Sequence, residues 1–137
     1  MTTWISTHGI GAIKDSASSF NIVIEKGYAL VKPTTANQLS GWVHYTIPSP
    51  PVDYPNLKKA SVDFTAQAAT VEKVEVYFAN SRKFQEAGLS HSSTFTLDVQ
   101  ANQGPVVYGG KGISVSIFVQ FGGMGSTIKL QSVAIQV

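Results

Sequence analysis

The amino-acid sequence predicts an all-β fold, an antiparallel, jelly-roll-like β-sandwich of about eight strands. Apolar and polar side chains alternate along most of the chain, as in strands with one buried face, whereas helical periodicity is nearly absent. Clusters of glycine and proline separate the alternating segments, as turns do. Because no linker or internal repeat is visible, we expect the 137 residues to form a single domain, 1–137.

Several segments in the first three quarters of the chain have the two-residue period of a half-buried strand. FNIVIEKGYALVK, residues 20–32, divides into two strands that meet at a turn, Lys26-Gly27. Three later segments repeat the alternation, with apolar residues at Ala60, Val62 and Phe64, at Val74, Val76 and Phe78, and at Phe95, Leu97 and Val99. Each predicts a strand with one face in the core.

The last quarter contains the clearest core strand and a strand with a change of phase. KGISVSIFVQF places five apolar side chains on one face, from Ile113 to Phe121, and leaves Phe118 on the opposite, mostly polar face. That exposed ring makes Phe118 a candidate interface residue. In TIKLQSVAIQV the apolar positions shift phase, which predicts a bulge near Gln131-Ser132.

The glycine-rich segments of the last quarter predict turns. GGKG, residues 109–112, precedes a strand and lacks the Lys-Ser/Thr ending of a phosphate-binding loop. GGMGS, residues 122–126, links the last two strands. Between the strands near residues 78 and 95, the polar segment Asn80 to Ser93 contains Arg82 and is expected to be a solvated loop.

The segment GWVHYTIPSPP, residues 41–51, contains the candidate ligand-binding residues. In a strand over 42–47, Val43, Tyr45 and Ile47 share the more aliphatic face, so Trp42 and His44 are expected on the outer face. The reversed phase, with Trp42 in the core, is the alternative, and the usual burial of tryptophan favours it. The prolines end the strand and stiffen a loop that carries two further candidates, Asp53 and Tyr54.

Composition argues against several classes of protein. Charged residues make up 13% of the chain, and nine of its ten basic residues are dispersed lysines, so nucleic-acid binding is not expected. No stretch approaches the roughly 18 apolar residues of a membrane span. The chain has no cysteine, and its first residues show no secretory pattern. We therefore expect a cytoplasmic location by default, with non-classical export left open.

No catalytic or metal motif is visible. His8, His44 and His91 are far apart, so no metal site is predicted, and no cofactor is expected. Calcium, bound by loop carbonyls with Asp15 or Asp53, stays open although no Asp-x-Asp spacing supports it. A Ser-His-Asp arrangement also stays open because serines are numerous, but no Gly-x-Ser-x-Gly motif occurs.

The stretches MTTWIS, GWVHYTIPSP, VEKVEVYF, TFTLDV and VVYGGKGISVSIFVQF follow one another along nearly the whole chain. In this they resemble an uncharacterised family of bacterial proteins of similar length. The resemblance implies a compact β-sandwich and implies no functional residues. The chain departs from the family pattern at its end, where SVAIQV replaces an acidic, glycine-containing finish.

Together these features favour a non-catalytic, lectin-like binding module for a neutral polar ligand such as a glycan. Trp42 would stack on an apolar sugar face, and His44, Asp53 and Tyr54 would bind hydroxyl groups. The alternative is a self-assembling structural or protein-interaction sandwich, a homo-oligomer with Phe118 in its interface. A small β-fold enzyme, such as a cyclase, is the third hypothesis.

Overall fold

In the computed structural model, which describes residues 2–50, 56–103 and 106–137, the chain forms two antiparallel β-sheets. A 3-10 turn (Gly9–Gly11) and a short helix α1 (Val99–Gln103) are the helical segments of this part of the chain. The strands are β1 (Trp4–His8), β2 (Ile13–Lys14), β3 (Phe20–Glu25), β4 (Tyr28–Pro33), β5 (Ser40–Ile47), β6 (Lys59–Gln67), β7 (Ala69–Phe78), β8 (Ser81–Glu86), β9 (Ser93–Asp98), β10 (Ile113–Phe121) and β11 (Thr127–Gln136).

The two sheets have interleaved connectivity, so the chain crosses repeatedly from one to the other. The six-stranded sheet has the order β3-β4-β11-β6-β9, with β1 also paired to β11. The five-stranded sheet has the order β2-β5-β10-β7-β8. This arrangement confirms the predicted antiparallel β-sandwich of jelly-roll type.

The described residues contain three strands beyond the eight that alternation identified, namely β1, β2 and β8. β2 is only two residues long, and β1 has no fully buried residue. β8 lies in the segment that was expected to be a solvated loop, and Phe84 is its one buried residue. An edge strand with so little buried surface leaves almost no alternation in the sequence, which is why the pattern missed it.

The core lies between the sheets and consists of the apolar faces predicted from the sequence. All five residues of the β10 face are buried, from Ile113 at 4% exposure to Phe121 at 1%. Val43, Tyr45 and Ile47 of β5 are buried as well, so the phase proposed for this strand is confirmed and Trp42 lies outside the core. The opposite faces of β5 and β10 are therefore available to line a site.

Local predictions at the turns are also confirmed. Lys26-Gly27 joins β3 and β4, and Gly27 has φ +95°, in the region that favours glycine. The pairing of β11 with β6 shifts register between Leu130 and Ser132, where the change of phase predicted a bulge. The shift keeps the apolar side chains on both sides of it in the core.

The described part of the chain includes no helix that is both long and apolar enough to cross a membrane.

Candidate functional site

The candidate site lies on the outer face of the five-stranded sheet, where β5, β10 and β7 run side by side. Strand register aligns His44, Ser116 and Glu75 in one row across the sheet. In the next row Trp42 is opposite Phe118. Residues paired across neighbouring strands point to the same face, so side chains remote in sequence become neighbours here.

Asp15 reaches this face because the chain after β2 is held against β5. β2 pairs with β5 through Ile13 and His44, and the Asp15 N–H donates to the Trp42 carbonyl at 3.3 Å. The Asp15 carboxylate also accepts the N–H of Ala17 at 3.1 Å, which fixes its orientation. This turn places a carboxylate beside the His44 ring.

A hydrogen-bonded relay connects Asp15, His44 and Ser116. The His44 Nε2 lies 2.6 Å from Asp15 Oδ1, and its Nδ1 lies 2.7 Å from Ser116 Oγ. An ionised carboxylate only accepts, so Nε2 donates to Asp15, and an Nδ1 without a proton accepts the Ser116 O–H. The hydrogen bond from His44, with that from Ala17, lowers the pKa of Asp15 below its ordinary value.

Glu75 forms a second polar cluster on the same face, two strands from His44. Its carboxylate accepts the Tyr77 O–H at 2.9 Å and the Arg82 Nη1 at 3.3 Å. The side chain of Glu75 is 10% exposed, whereas that of Arg82 is 50% exposed. The hydrogen bond to Glu75 raises the pKa of Tyr77, since the phenol loses this bond when it ionises.

An aromatic group borders the polar residues. The Trp42 and Phe118 rings pack edge to face, with centroids 5.1 Å apart, and the Lys73 ammonium lies 4.8 Å from the centre of the Phe118 ring. Phe118 is thus half-buried beneath two neighbours on the outer face. Its place in a subunit interface stays a prediction.

These side chains surround a cavity of about 260 Å³. The lining residues are Asp15, Trp42, His44, Glu75, Tyr77 and Ser116. This volume is just below the roughly 300–1,000 Å³ of pockets for drug-sized ligands. The cavity is therefore a small depression that opens to solvent on the sheet face.

Two of the candidate residues predicted from the sequence belong to this site. Trp42 and His44 both line the cavity. Asp53 and Tyr54 lie outside the described residues. Glu75, Ser116 and Tyr77 were not predicted as binding residues, although alternation had already assigned them to the outer faces of their strands. Asp15 was named only as a possible calcium ligand. The missing information was which strands are neighbours.

Asp15, His44 and Ser116 are hydrogen-bonded in the order of a hydrolase triad, but the serine is placed differently. Ser116 lies in the middle of β10, which is hydrogen-bonded to β5 on one side and to β7 on the other. The N–H groups around it belong to these ladders, so they are not available to bind an oxyanion. The relay instead fixes the orientations of His44 and Ser116.

Within the described residues, no group of three or more His, Cys, Asp or Glu side chains is arranged to hold a metal ion. Both Asp15 oxygens already accept hydrogen bonds from the protein.

No protein-family model and no curated protein matches the chain, but solved structures share its fold. The CBM36-1 domain of a multidomain xylanase from the hindgut metagenome of Trinervitermes trinervoides is 12% identical, with a TM-score of 0.50, over 98% of this chain and 96% of that one. A family 29 carbohydrate-binding module complexed with mannohexaose is 14% identical, with a TM-score of 0.50, over 99% and 92%.

A third similar structure is the insecticidal crystal protein Cry2Aa, 11% identical with a TM-score of 0.53. The match covers 97% of this chain but only 21% of Cry2Aa. At such identities these likenesses define the class of fold, a β-sandwich shared with carbohydrate-binding modules.

Proposed function

We propose that this protein is a non-catalytic binding module for a polar ligand, a glycan. The observation that carries the proposal is the cavity on the outer sheet face, which combines two aromatic rings, Trp42 and Tyr77, with a polar floor at Ser116 and Glu75. Sugars present apolar ring faces and a girdle of hydroxyl groups. Aromatic walls beside oriented polar groups complement both features.

The polar groups of the cavity are held in place before any ligand arrives. Asp15 fixes His44, His44 orients the Ser116 hydroxyl, and Tyr77 with Arg82 holds Glu75. A site whose side chains are already ordered loses little conformational entropy on binding. This preorganisation supports recognition in place of catalysis, since the relay lacks free backbone donors beside Ser116.

The fold likeness agrees with this proposal. The similar structures include carbohydrate-binding modules, one of them complexed with mannohexaose. Membership of an uncharacterised bacterial family, suggested by the sequence patterns, is part of the same proposal.

Titration with oligosaccharides while tryptophan fluorescence is recorded tests the function. The chain contains two tryptophans, and they suit a matched comparison. Trp42 lies at the cavity, whereas Trp4 is 47% exposed on β1 of the other sheet. Because Trp42→Ala also removes the fluorescent reporter, calorimetry measures binding by the variants. We expect Trp42→Ala to abolish binding and Trp4→Ala to preserve it. Absence of binding to any glycan on an array, or equal effects of the two substitutions, would refute the proposal.

Self-assembly is the second candidate function, and exposed apolar residues on edge strands favour it. Ile13 on β2 and Ile24 on β3 are each 52% exposed, and both strands lie at a sheet edge. Phe118, on the outer face of β10, is the third residue proposed for a homo-oligomer interface. Sedimentation over a range of concentrations tests this candidate, and a monomer at all of them would count against it.

A further inference from the structure

The directions of the hydrogen bonds in the cavity determine which chemical groups of a glycan it can bind. The Ser116 proton is directed to His44, the His44 Nε2 proton to Asp15, and the Tyr77 proton to Glu75. Each of these protons is already donated to another protein atom. Ser116 and Tyr77 can therefore offer a ligand only oxygen lone pairs, and the same holds for the two carboxylates.

The charges of the cavity point the same way. Two carboxylates, Asp15 and Glu75, line it, and neither lysine nor arginine is among its lining residues. Glu75 is paired with Arg82, whose guanidinium extends outward and is half exposed. Asp15 is hydrogen-bonded through Oδ1 to His44 Nε2 at 2.6 Å, and no lysine or arginine is paired with it in the described residues. The Asp15 side chain is 26% exposed and thus reachable from the cavity.

Aromatic rings complete the environment of a cation. Trp42 and Tyr77 line the same cavity as the two carboxylates. The negative faces of such rings attract ammonium groups, and an ammonium is also a donor of three hydrogen bonds. Lone pairs, carboxylates and aromatic rings are together what a protonated amine requires.

We propose that the preferred ligand is an amino sugar, whose free ammonium group binds in this cavity beside Asp15. The proposal rests on the proposed glycan-binding function and deepens it, since it names a positively charged substituent where the sequence led us to expect a neutral ligand. The ammonium donates to Asp15, while the sugar ring contacts Trp42 and a hydroxyl group of the same sugar donates to the lone pairs of Ser116. A hydroxyl group at the same position donates only one hydrogen bond and carries no charge.

The test uses sets of oligosaccharides that share a backbone and differ at one carbon, which bears a hydroxyl, an N-acetyl or a free amino group. Calorimetric titration at pH 7 and low salt is expected to show about tenfold tighter binding of the amino form, as one charge-assisted hydrogen bond provides. Because salt screens the attraction, the preference is expected to shrink in about 1 M NaCl, where the Debye length is about 3 Å.

The outcomes separate this inference from the function on which it rests. Equal affinity for amino and hydroxyl forms refutes the amino-sugar proposal and leaves glycan binding established. Absence of binding to every form refutes glycan binding and the amino-sugar proposal with it. A preference for the amino form that salt does not reduce refutes the role of the Asp15 charge.

Two substitutions test whether Asp15 causes the preference for the amino form. Asp15→Asn keeps an acceptor for His44 while it removes the charge, so the amino and hydroxyl forms are expected to bind equally. Asp63→Asn removes the same charge from the outer face of the other sheet, where Asp63 accepts the Thr94 hydroxyl at 2.8 Å. This control is expected to retain the preference. If Asp15→Asn does not fold, the salt dependence of the unmodified protein decides.

Discussion

Replacing Ile117 by alanine tests the assignment of the two faces of β10 most directly. Ile117 is fully buried and lies between Val43 of β5 and Val74 of β7 in the ladder. The substitution removes three carbon atoms, worth about 2.4 kcal/mol of transfer free energy. Because β10 is bonded on both sides, the backbone cannot close the space. The residual cavity raises the expected loss to about 3–4 kcal/mol.

Phe118→Ala is the matched comparison, one residue further along the same strand. Its ring is half-buried on the outer face, so alanine removes contacts with Trp42 and Lys73 and opens no core cavity. An aromatic pair contributes about 0.5–1.5 kcal/mol and a cation–π contact about 0.5–1 kcal/mol. We therefore expect Phe118→Ala to cost about 1–2 kcal/mol, roughly half the loss at Ile117.

Urea denaturation followed by circular dichroism measures both losses, and sedimentation shows whether either variant changes association. A total stability of about 5–15 kcal/mol is typical of such a domain, so both variants are expected to remain folded. Equal, large losses at the two positions, with unchanged association, would show that β10 is buried on both faces. The outer face of β10 could then not line a ligand cavity.

Three further expectations concern the turn at Gly9, the Asp15 relay and the Tyr77 phenol. A Cβ at Gly9 would overlap the Leu130 carbonyl of β11, so Gly9→Ala is expected to lower the free energy of unfolding by about 3 kcal/mol. Gly123 faces open space, so Gly123→Ala should change stability little. Equal melting temperatures of the two variants would contradict this. The pKa of Asp15 is lowered in the folded protein, so the unfolded chain binds more protons below about pH 4, and the contribution of the carboxylate to stability is lost there. The free energy of unfolding of Asp15→Asn should therefore fall less on acidification than that of the unmodified protein. Parallel curves of unfolding free energy against pH would refute this. Ultraviolet titration should show that Tyr77 ionises above the ordinary value of about 10. Glu75→Ala, which removes the acceptor, should lower the pKa of Tyr77, and an unchanged pKa would refute the hydrogen bond as its cause.

The orientation of the candidate residues on β5 follows from alternation alone. Once Val43, Tyr45 and Ile47 are assigned to the core, Trp42 must lie on the other face because successive side chains of a strand alternate. The general tendency of tryptophan to be buried favours the wrong phase here, since it takes no account of neighbouring positions. The alternation of neighbouring residues thus predicted the face on which Trp42 lies better than the usual burial of tryptophan did.

The partners of His44 could not be predicted in the same way. Asp15 precedes it by 29 residues and Ser116 follows it by 72, and no sequence spacing marks either as a neighbour. Their contact depends on β5 pairing with β10 and on the chain after β2 docking on β5. Edge strand β8, which brings Arg82 to Glu75, was likewise invisible because it buries only Phe84.

By itself, the sequence determined the all-β class, the core strands, the hairpin turn at Gly27, the bulge in β11 and which side chains of β5 and β10 face outward. These features depend on interactions within a strand or across one turn, and a period of two records them directly. Only the tertiary structure decided which outward faces adjoin, and hence that Asp15, His44, Ser116 and Glu75 line one cavity. Strand order depends on how whole sheets bury their apolar faces, and many pairings of the same strands satisfy the same alternation.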